Sequence, residues 1–334
     1  GIARRDAWLS VLFCAIPYAL WLVVLYNIMR LTQQQPILDW LRQHYGRAAD
    51  LLLRCLFFIY LFLINAITLN DTLTWATGSY LPRTPELALS LTLILICCYA
   101  AISGLRPIAF VAGILLPFVI IFGDFVMSAN LPRKNFLLLF PMFEFGFQPV
   151  LEGMGYVGGG LAELSVFLLL QHHLNSKVPF WKVFLMGLFL IFLIIGPVTG
   201  AIAEFGPNEA ARLRYPAYEQ WRLVKMGRYI QHLDFLSIYQ WLSGAFIRVA
   251  VTLFLMLELT VEGGTVRRRA IVLAMIAFAL LIVVSLPFSD VQFLYFLRIY
   301  LQVSFGAVTL VMLILLALAA FARRKENASD ESVQ

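Results

Sequence analysis

One carboxylate and five glycines lie close together in an apolar stretch of the chain. The glycines are Gly153, Gly155, Gly158, Gly159 and Gly160, and Glu163 follows about one helical turn after them. Lipid offers no hydrogen bonds, so irregular backbone at membrane depth needs cover from protein or from a water-filled cavity. A carboxylate in such a span usually faces the bundle interior. The segment is therefore a candidate ligand site, where amides freed at a helix break bind an anionic group.

Two alternatives stay open for this segment. Gly155 and Gly159 form a GxxxG pair, a spacing that lets two helices pack closely. Glu163 can also form a structural ion pair, and Arg248 in a later apolar stretch is the expected partner because a guanidinium keeps its charge. The carboxylate of a substrate is the alternative acceptor for Arg248.

The composition predicts an all-α polytopic membrane protein, since 61% of the 334 residues are hydrophobic and 13% are charged. Nine stretches reach spanning length, at 7–29, 51–77, 86–101, 108–126, 149–171, 181–202, 235–259, 270–286 and 296–321. Many transporters consist of two five-helix units of inverted topology, each starting with an interrupted helix. The glycine-rich stretch is the fifth of the nine, so we expect nine of ten helices, with the first helix of the first unit missing.

Lys and Arg residues predict the orientation. With the long connection at 203–234 set aside, thirteen of them fall on the side of the basic residues at 323–325 and five on the other side. The positive-inside rule then places the C-terminus in the cytoplasm. We expect a permease domain over 1–322 and a cytoplasmic polar tail over 323–334. The net charge of +6 follows from topology and attraction to the lipid bilayer, so we expect no nucleic acid partner.

Two of the connections between apolar stretches are long enough to form structure of their own. The apolar residues of 36–47 fall near one helical face, which is typical of a short helix at the cytoplasmic interface, although a plain loop is an equal alternative. The connection at 203–234 contains Pro207 and Pro216 as breakers. We expect a helix there, packed over the outer mouth of the bundle.

No catalytic or cofactor motif is found in the sequence, and we expect neither enzymatic activity nor a cofactor. The four cysteines lack metal-ligand spacing and lie in apolar stretches, as small packing residues do. His172 and His173 are neighbours, about 100° apart on an α-helix, which is awkward for a shared metal. No metal site is expected.

Five short segments, in order and spacing, resemble the spore germination permeases, the B subunits of germinant receptors in endospore-forming bacteria. They are ARRDAWLS (3–10), LPRTP (81–85), FP (140–141), YPAYEQWR (215–222) and WLSGAFIR (241–248). The likeness runs from Ala3 to about Phe321. The composition indicates only a polytopic membrane protein, and this resemblance also indicates a family.

That resemblance implies a LeuT-type 5+5 inverted-repeat fold of the amino acid, polyamine and organocation transporter superfamily, in the inner membrane of the spore. It implies a small amino-acid germinant as ligand, with an A-type membrane subunit and a C-type lipoprotein as partners. By position, the implied pocket residues are Gly158, Gly159, Gly160, Glu163, Tyr60, Asn65, Ser243 and Phe246. A secondary amino-acid transporter coupled to H⁺ or Na⁺ is the alternative, and a structural subunit without a ligand is a third hypothesis.

Overall fold

The computed structural model describes residues 3–174, 176–225, 232–261 and 263–331, with side chains as far as Lys325. Within these ranges the regular structure is helical throughout, as predicted. The α-helices are α1 (Ala7–Leu31), α2 (Ile37–Tyr45), α3 (Arg47–Ser79), α4 (Glu86–Ser103), α5 (Leu105–Ala129), α6 (Gln148–Leu161), α7 (Phe167–Leu170), α8 (Phe180–Phe205), α9 (Pro207–Arg212), α10 (Pro216–Leu223), α11 (Leu236–Thr260), α12 (Val266–Val284) and α13 (Asp290–Glu331). Short 3₁₀ helices lie at Arg4–Asp6, Leu131–Arg133, Phe136–Leu139, Ala162–Val166 and Gln171–His173.

In this described part of the chain, eight helical segments are long and apolar enough to cross a membrane, one fewer than the nine predicted. The difference is α12, which has 19 residues. Its first turn contains Arg267, Arg268 and Arg269, so only the part from Ala270 onward is continuously apolar. The protein is an all-α polytopic membrane protein, and the 5+5 arrangement of its helices stays a prediction.

The chain divides into two compact units, which we describe separately. Unit 1 comprises residues 1–50, 133–217 and 290–334. Within it, α1 packs against α6, α8 and α13, and α13 also packs along α6. The glycine-rich helix α6 therefore lies against two long apolar neighbours, α1 and α13, which also pack against each other.

Unit 2 comprises residues 51–132 and 218–289. There α11 packs against α4, α5 and α12, and α4 packs against α5 and α12. The chain passes from α4 to α5 at Gly104, the only residue between the two helices, which has φ of +97°. Glycine adopts this conformation without the Cβ clash of other residues, so the reversal takes a single position.

The segment at 36–47 forms α2, which confirms a helix over the loop alternative, and its location at the cytoplasmic interface stays a prediction. Its apolar face is Ile37, Trp40 and Leu41, all buried against protein. The Tyr45 hydroxyl donates to the carbonyl oxygen of Leu318 in α13 at 2.6 Å. Within unit 1, α2 is therefore held in place by its buried apolar face and by the hydrogen bond from Tyr45 to α13.

The outer connection forms two short helices, α9 and α10, where one was expected, and residues 226–231 of the predicted run lie outside the described residues. Pro207 and Pro216 are the first residues of these helices. Proline suits that position because its missing N–H has no partner in the first turn. The two prolines thus begin helices, and the location of α10 over an outer mouth stays a prediction.

Candidate functional site

The glycine-rich segment is regular α-helix through all five glycines, and the departure from α-geometry comes after them. α6 ends at Leu161, and Ala162–Val166 continues as a 3₁₀ helix. The amide of Ala162 is shared between the carbonyl oxygens of Gly158 and Gly160. The helix break was expected at the glycines, and the structure has its distortion at Glu163 instead.

Gly158 and Gly159 lie where α6 comes closest to α13. A Cβ built on Gly158 would be 2.8 Å from the Phe305 ring. A Cβ on Gly159 would overlap the carbonyl oxygen of Leu301, which belongs to the backbone of α13. Real Cβ atoms do not approach backbone so closely, so these two glycines permit the contact between the helices.

The other glycines of the cluster differ from one another. A Cβ on Gly153 would overlap the Ser10 hydroxyl of α1. One on Gly155 would make ordinary contact with Gln302 at 3.5 Å. One on Gly160 would meet nothing within 4 Å. The packing alternative therefore accounts for most of the cluster, and Gly160 is the glycine left with open space beside it.

Glu163 is half-buried on the 3₁₀ segment that follows. Its neighbours Ala162 and Ser165 are fully buried. The Ser165 hydroxyl has no hydrogen-bond partner among the described residues. Sequence reasoning did not single out Ser165, because one serine in an apolar run has no distinguishing pattern.

The start of α6 is fixed by the N-terminal residues of the motif ARRDAWLS. Asp6 is buried, and its two carboxylate oxygens accept from the backbone amides of Phe143 at 3.0 Å and Glu144 at 3.1 Å. Arg5 pairs with the Glu144 carboxylate at 3.2 Å, and the Arg4 guanidinium lies 5.1 Å from the centre of the Phe145 ring. We call this arrangement the N-terminal clamp.

The other end of the same span is tied to α1. Gln171 is buried, and its amide donates to the carbonyl oxygen of Gln35 at 2.7 Å and to the Thr32 hydroxyl at 3.3 Å. The 3₁₀ turn that follows brings the rings of His172 and His173 to 4.0 Å between centroids.

In unit 2, Asn65 is fully buried and fastens α3 to α11. Its side-chain oxygen accepts from the Thr252 hydroxyl at 2.7 Å, while its amide donates to the carbonyl oxygen of Leu61 at 3.0 Å and contacts the Met256 sulfur at 3.4 Å. Hydrogen bonds of this kind satisfy a buried amide. The geometry gives Asn65 a packing role.

The remaining predicted residues of unit 2 lie on α3 and α11. Ser243 is buried, and Tyr60, Phe246 and Arg248 are half-buried. The Cys97 thiol of α4 lies 3.9 Å from the carbonyl oxygen of Phe246. These residues and the four of unit 1 belong to different units, so a single shared pocket and the pairing of Glu163 with Arg248 both stay predictions.

An aromatic cluster of unit 2 consists of Trp75, Tyr80, Tyr218 and Trp241, and two of the sequence motifs, YPAYEQWR and WLSGAFIR, each supply one of its residues. The rings of Trp75 and Trp241 stack at 4.7 Å, and Tyr80 and Tyr218 each meet Trp75 edge-on. The Tyr80 hydroxyl donates to the carbonyl oxygen of Asp234 at 2.6 Å. Burial raises the pKa of Tyr80, which keeps the phenol protonated as a donor. The cluster holds α10 against the ends of α3 and α11.

A second set of contacts joins α10 to α5. The Trp221 indole donates to Gln240 at 2.8 Å, and the Gln240 amide donates to the carbonyl oxygen of Val119 at 2.8 Å. The Asn130 amide donates to the carbonyl oxygen of Gln220 at 2.7 Å. Residues of the motif YPAYEQWR therefore connect α10 to α11 and to α5.

The fold defines an all-α polytopic membrane protein, and similarity to known proteins identifies its family. The profile of the spore germination protein family matches residues 1–293, and this chain belongs to that family. It is 38% identical over 325 residues to Spore germination protein XB of Bacillus anthracis, covering 97% of this chain and 91% of that protein. It is 24% identical over 270 residues to Spore germination protein KB of Bacillus subtilis (strain 168), covering 76% and 69%. The family that the motifs predicted is thus confirmed.

Proposed function

We propose that this chain is the germinant-sensing, permease-like subunit of a spore germination receptor. It binds a small amino acid at the distorted part of the α6 span and passes a conformational signal to an A-type membrane subunit and a C-type lipoprotein. It does so in the inner membrane of the spore, with its C-terminus in the cytoplasm, and it catalyses no reaction. Family membership supports the role in germination.

The observation that carries the ligand site is the carboxylate on a 3₁₀ interruption of an apolar span. A 3₁₀ turn has poorer hydrogen-bond geometry than an α-helix, and such turns inside helices often mark functional positions. Glu163 supplies a negative charge for the ammonium group of an amino acid. Ser165 supplies a buried hydroxyl in the same segment, and Gly160 leaves space one turn before Glu163.

Signalling requires that the ligand favours one conformation through differential affinity. α6 is in contact with α1 and α13, and it approaches α1 closely at Gly153 and α13 closely at Gly158 and Gly159. A shift of the 3₁₀ segment on binding is therefore passed to α1 and α13 by direct contact. Because interiors are close-packed, these helices respond by changing between discrete arrangements.

We expect Glu163→Gln to raise the half-maximal germinant concentration by about tenfold or more, because a hydrogen bond to a charged group contributes about 1.5–3 kcal/mol. The measurement is the dose response of spores that express the variant from the native locus, with glycine, alanine, serine and valine as germinants. Membrane abundance of the chain is measured in the same spores.

Glu152→Gln is the matched control. It is the same substitution in the same apolar span, at a residue of α6 whose carboxylate pairs with Arg298 at 3.5 Å and stays partly exposed. Exposed pairs contribute at most about 1 kcal/mol, so a shift below fivefold is expected. An unshifted dose response in Glu163→Gln spores, at normal abundance, would remove Glu163 from the site.

A further inference from the structure

A small cavity lies in unit 1, between the C-terminal end of α1 and the connection that leads into α8. Its volume is about 100 Å³. It is lined by Tyr26, Met29, Arg30, Gln33, Gln34, Lys177 and Val178. We call it the basic crevice. No residue of the candidate germinant site lines it, so it calls for a separate explanation.

Every polar side chain that lines the basic crevice can donate a hydrogen bond. Arg30 and Lys177 are both exposed, and no carboxylate is among the lining residues. Among the residues that the structure describes, neither cation has an ion-pair partner. Gln33 and Gln34 add side-chain amides. Two cations and two amides at one cavity are complementary to an anion with several acceptor oxygens, such as a phosphate group.

The backbone at the crevice is shaped by the end of α1. Gln33 and Gln34 both have left-handed conformations, with φ of +54° and +59°. The backbone amide of Gln33 donates to the carbonyl oxygen of Arg30 at 3.2 Å, and that of Gln34 donates to the carbonyl oxygen of Met29 at 2.9 Å. The turn is therefore closed by its own backbone hydrogen bonds. Left-handed residues other than glycine are uncommon and costly, by about 1–3 kcal/mol. The turn nevertheless places both glutamine side chains on the cavity.

The surroundings of the crevice are those of a membrane interface. The α8 helix begins beside it with Phe180 and Trp181, and Trp181 is 57% exposed. Phe180 packs edge-on against Tyr26, with 5.3 Å between ring centroids. Exposed aromatic rings at the end of a spanning helix are typical of the headgroup level of a bilayer. The basic residues of the crevice thus lie next to the exposed apolar surface at the start of α8, which is suited to contact with lipid chains.

We propose that the basic crevice binds the headgroup of an anionic phospholipid. The phosphate lies between Arg30 and Lys177, and the apolar part of the lipid lies along Tyr26 and the exposed aromatic residues of α8. Arg30 and Lys177 are among the residues that the charge distribution assigns to the cytoplasmic side, where basic pockets between helices bind anionic lipids. Through this contact the lipid links the ends of α1 and α8.

The test uses the purified full chain in detergent, titrated with phosphatidylglycerol, phosphatidylcholine or inorganic phosphate. Lipid retention is measured by native mass spectrometry and stability by the thermal midpoint. We expect saturable retention of phosphatidylglycerol with a rise in the midpoint. The double variant Arg30→Gln/Lys177→Gln is expected to weaken this affinity at least tenfold.

The double variant Arg47→Gln/Arg106→Gln is the matched control, since it removes the same charge from two exposed arginines outside the crevice. It is expected to bind phosphatidylglycerol as the wild type does. Equal affinity in both double variants would overturn the proposal. So would equal retention of phosphatidylcholine, or reproduction of the whole effect by inorganic phosphate alone.

A second measurement covers the case in which Arg30→Gln/Lys177→Gln fails to fold. Photo-crosslinking of the wild-type chain with a diazirine-bearing phosphatidylglycerol is mapped by peptide mass spectrometry. Labelling within 26–34 and 177–185 supports the site. Labelling confined to other parts of the chain overturns it.

Discussion

Replacement of Gly159 by alanine is expected to cost on the order of 3 kcal/mol or more, among the largest effects of any single methyl group added to this chain. The new Cβ would overlap the carbonyl oxygen of Leu301. A side chain can rotate away from an added methyl group, but a backbone carbonyl in the middle of α13 cannot. The two helices must therefore separate, which gives up packing along their whole contact.

The measurement for Gly159→Ala is the thermal midpoint of the purified chain in detergent, followed by fluorescence-detected size exclusion. Gly160→Ala is the control, one position along the same helix, where an added Cβ meets no atom within 4 Å. Alanine is the better helix former by about 1 kcal/mol, so this control is expected to be neutral or slightly stabilising. Equal midpoints for the two variants would show that α6 and α13 are not in the close contact described.

Asp6→Ala is expected to destabilise the chain by about 3 kcal/mol, because it removes two charge-assisted hydrogen bonds from a buried position. Those bonds hold the amides of Phe143 and Glu144, and Phe143 has a left-handed conformation with φ of +56°. Without the carboxylate, these two amides lose their acceptor and the turn loses what opposes its strain. The start of α6 then shifts, and germinant sensitivity falls together with stability.

Two further variants separate the clamp from a general loss of charge. Asp6→Asn keeps one acceptor oxygen and is expected to lie between the wild type and Asp6→Ala in thermal midpoint. Asp39→Ala removes a half-buried aspartate from the first turn of α2, where the interaction with the helix dipole contributes about 0.3–1 kcal/mol. An Asp6→Ala midpoint no lower than that of Asp39→Ala would contradict the clamp.

The helices were predictable because hydrophobicity alone determines which segments can span a bilayer. The predicted ends of α1, α4, α8 and α11 differ from the structure by only a few residues. α12 was the exception, since its arginines lie in the same helix as the apolar run. Periodicity also predicted α2, because residues that recur on one face of a helix are buried together.

The place of the helix distortion could not be read from the sequence. Glycine lowers helix propensity by about 1 kcal/mol, which led us to expect a break among the five glycines. Close packing on α13 outweighs that cost and keeps α6 regular. The 3₁₀ segment at Ala162–Val166 carries no glycine or proline and so has no local sequence signal.

Contacts between distant residues were the other part that the sequence did not disclose. Asp6 binds amides 137 and 138 positions away, and Asn65 binds Thr252 across 187 positions. A single sequence indicates that a buried polar residue needs a partner but not which residue that is. The hydrogen bond between Asn65 and Thr252 joins α3 to α11, while the place of Asn65 in a pocket, which the family resemblance implies, stays a prediction.

The central proposed property of this chain is that it binds an amino acid as a receptor does. The decisive measurement compares equilibrium binding with uptake of a radiolabelled amino acid, chosen as the most potent germinant in the spore dose response. It uses proteoliposomes that contain the chain with its A-type and C-type partners, under imposed H⁺ and Na⁺ gradients. Saturable binding without accumulation, weakened by Glu163→Gln, is the predicted result. Accumulation driven by either gradient would contradict the receptor and identify a transporter, and absence of both binding and uptake would contradict any ligand site at Glu163.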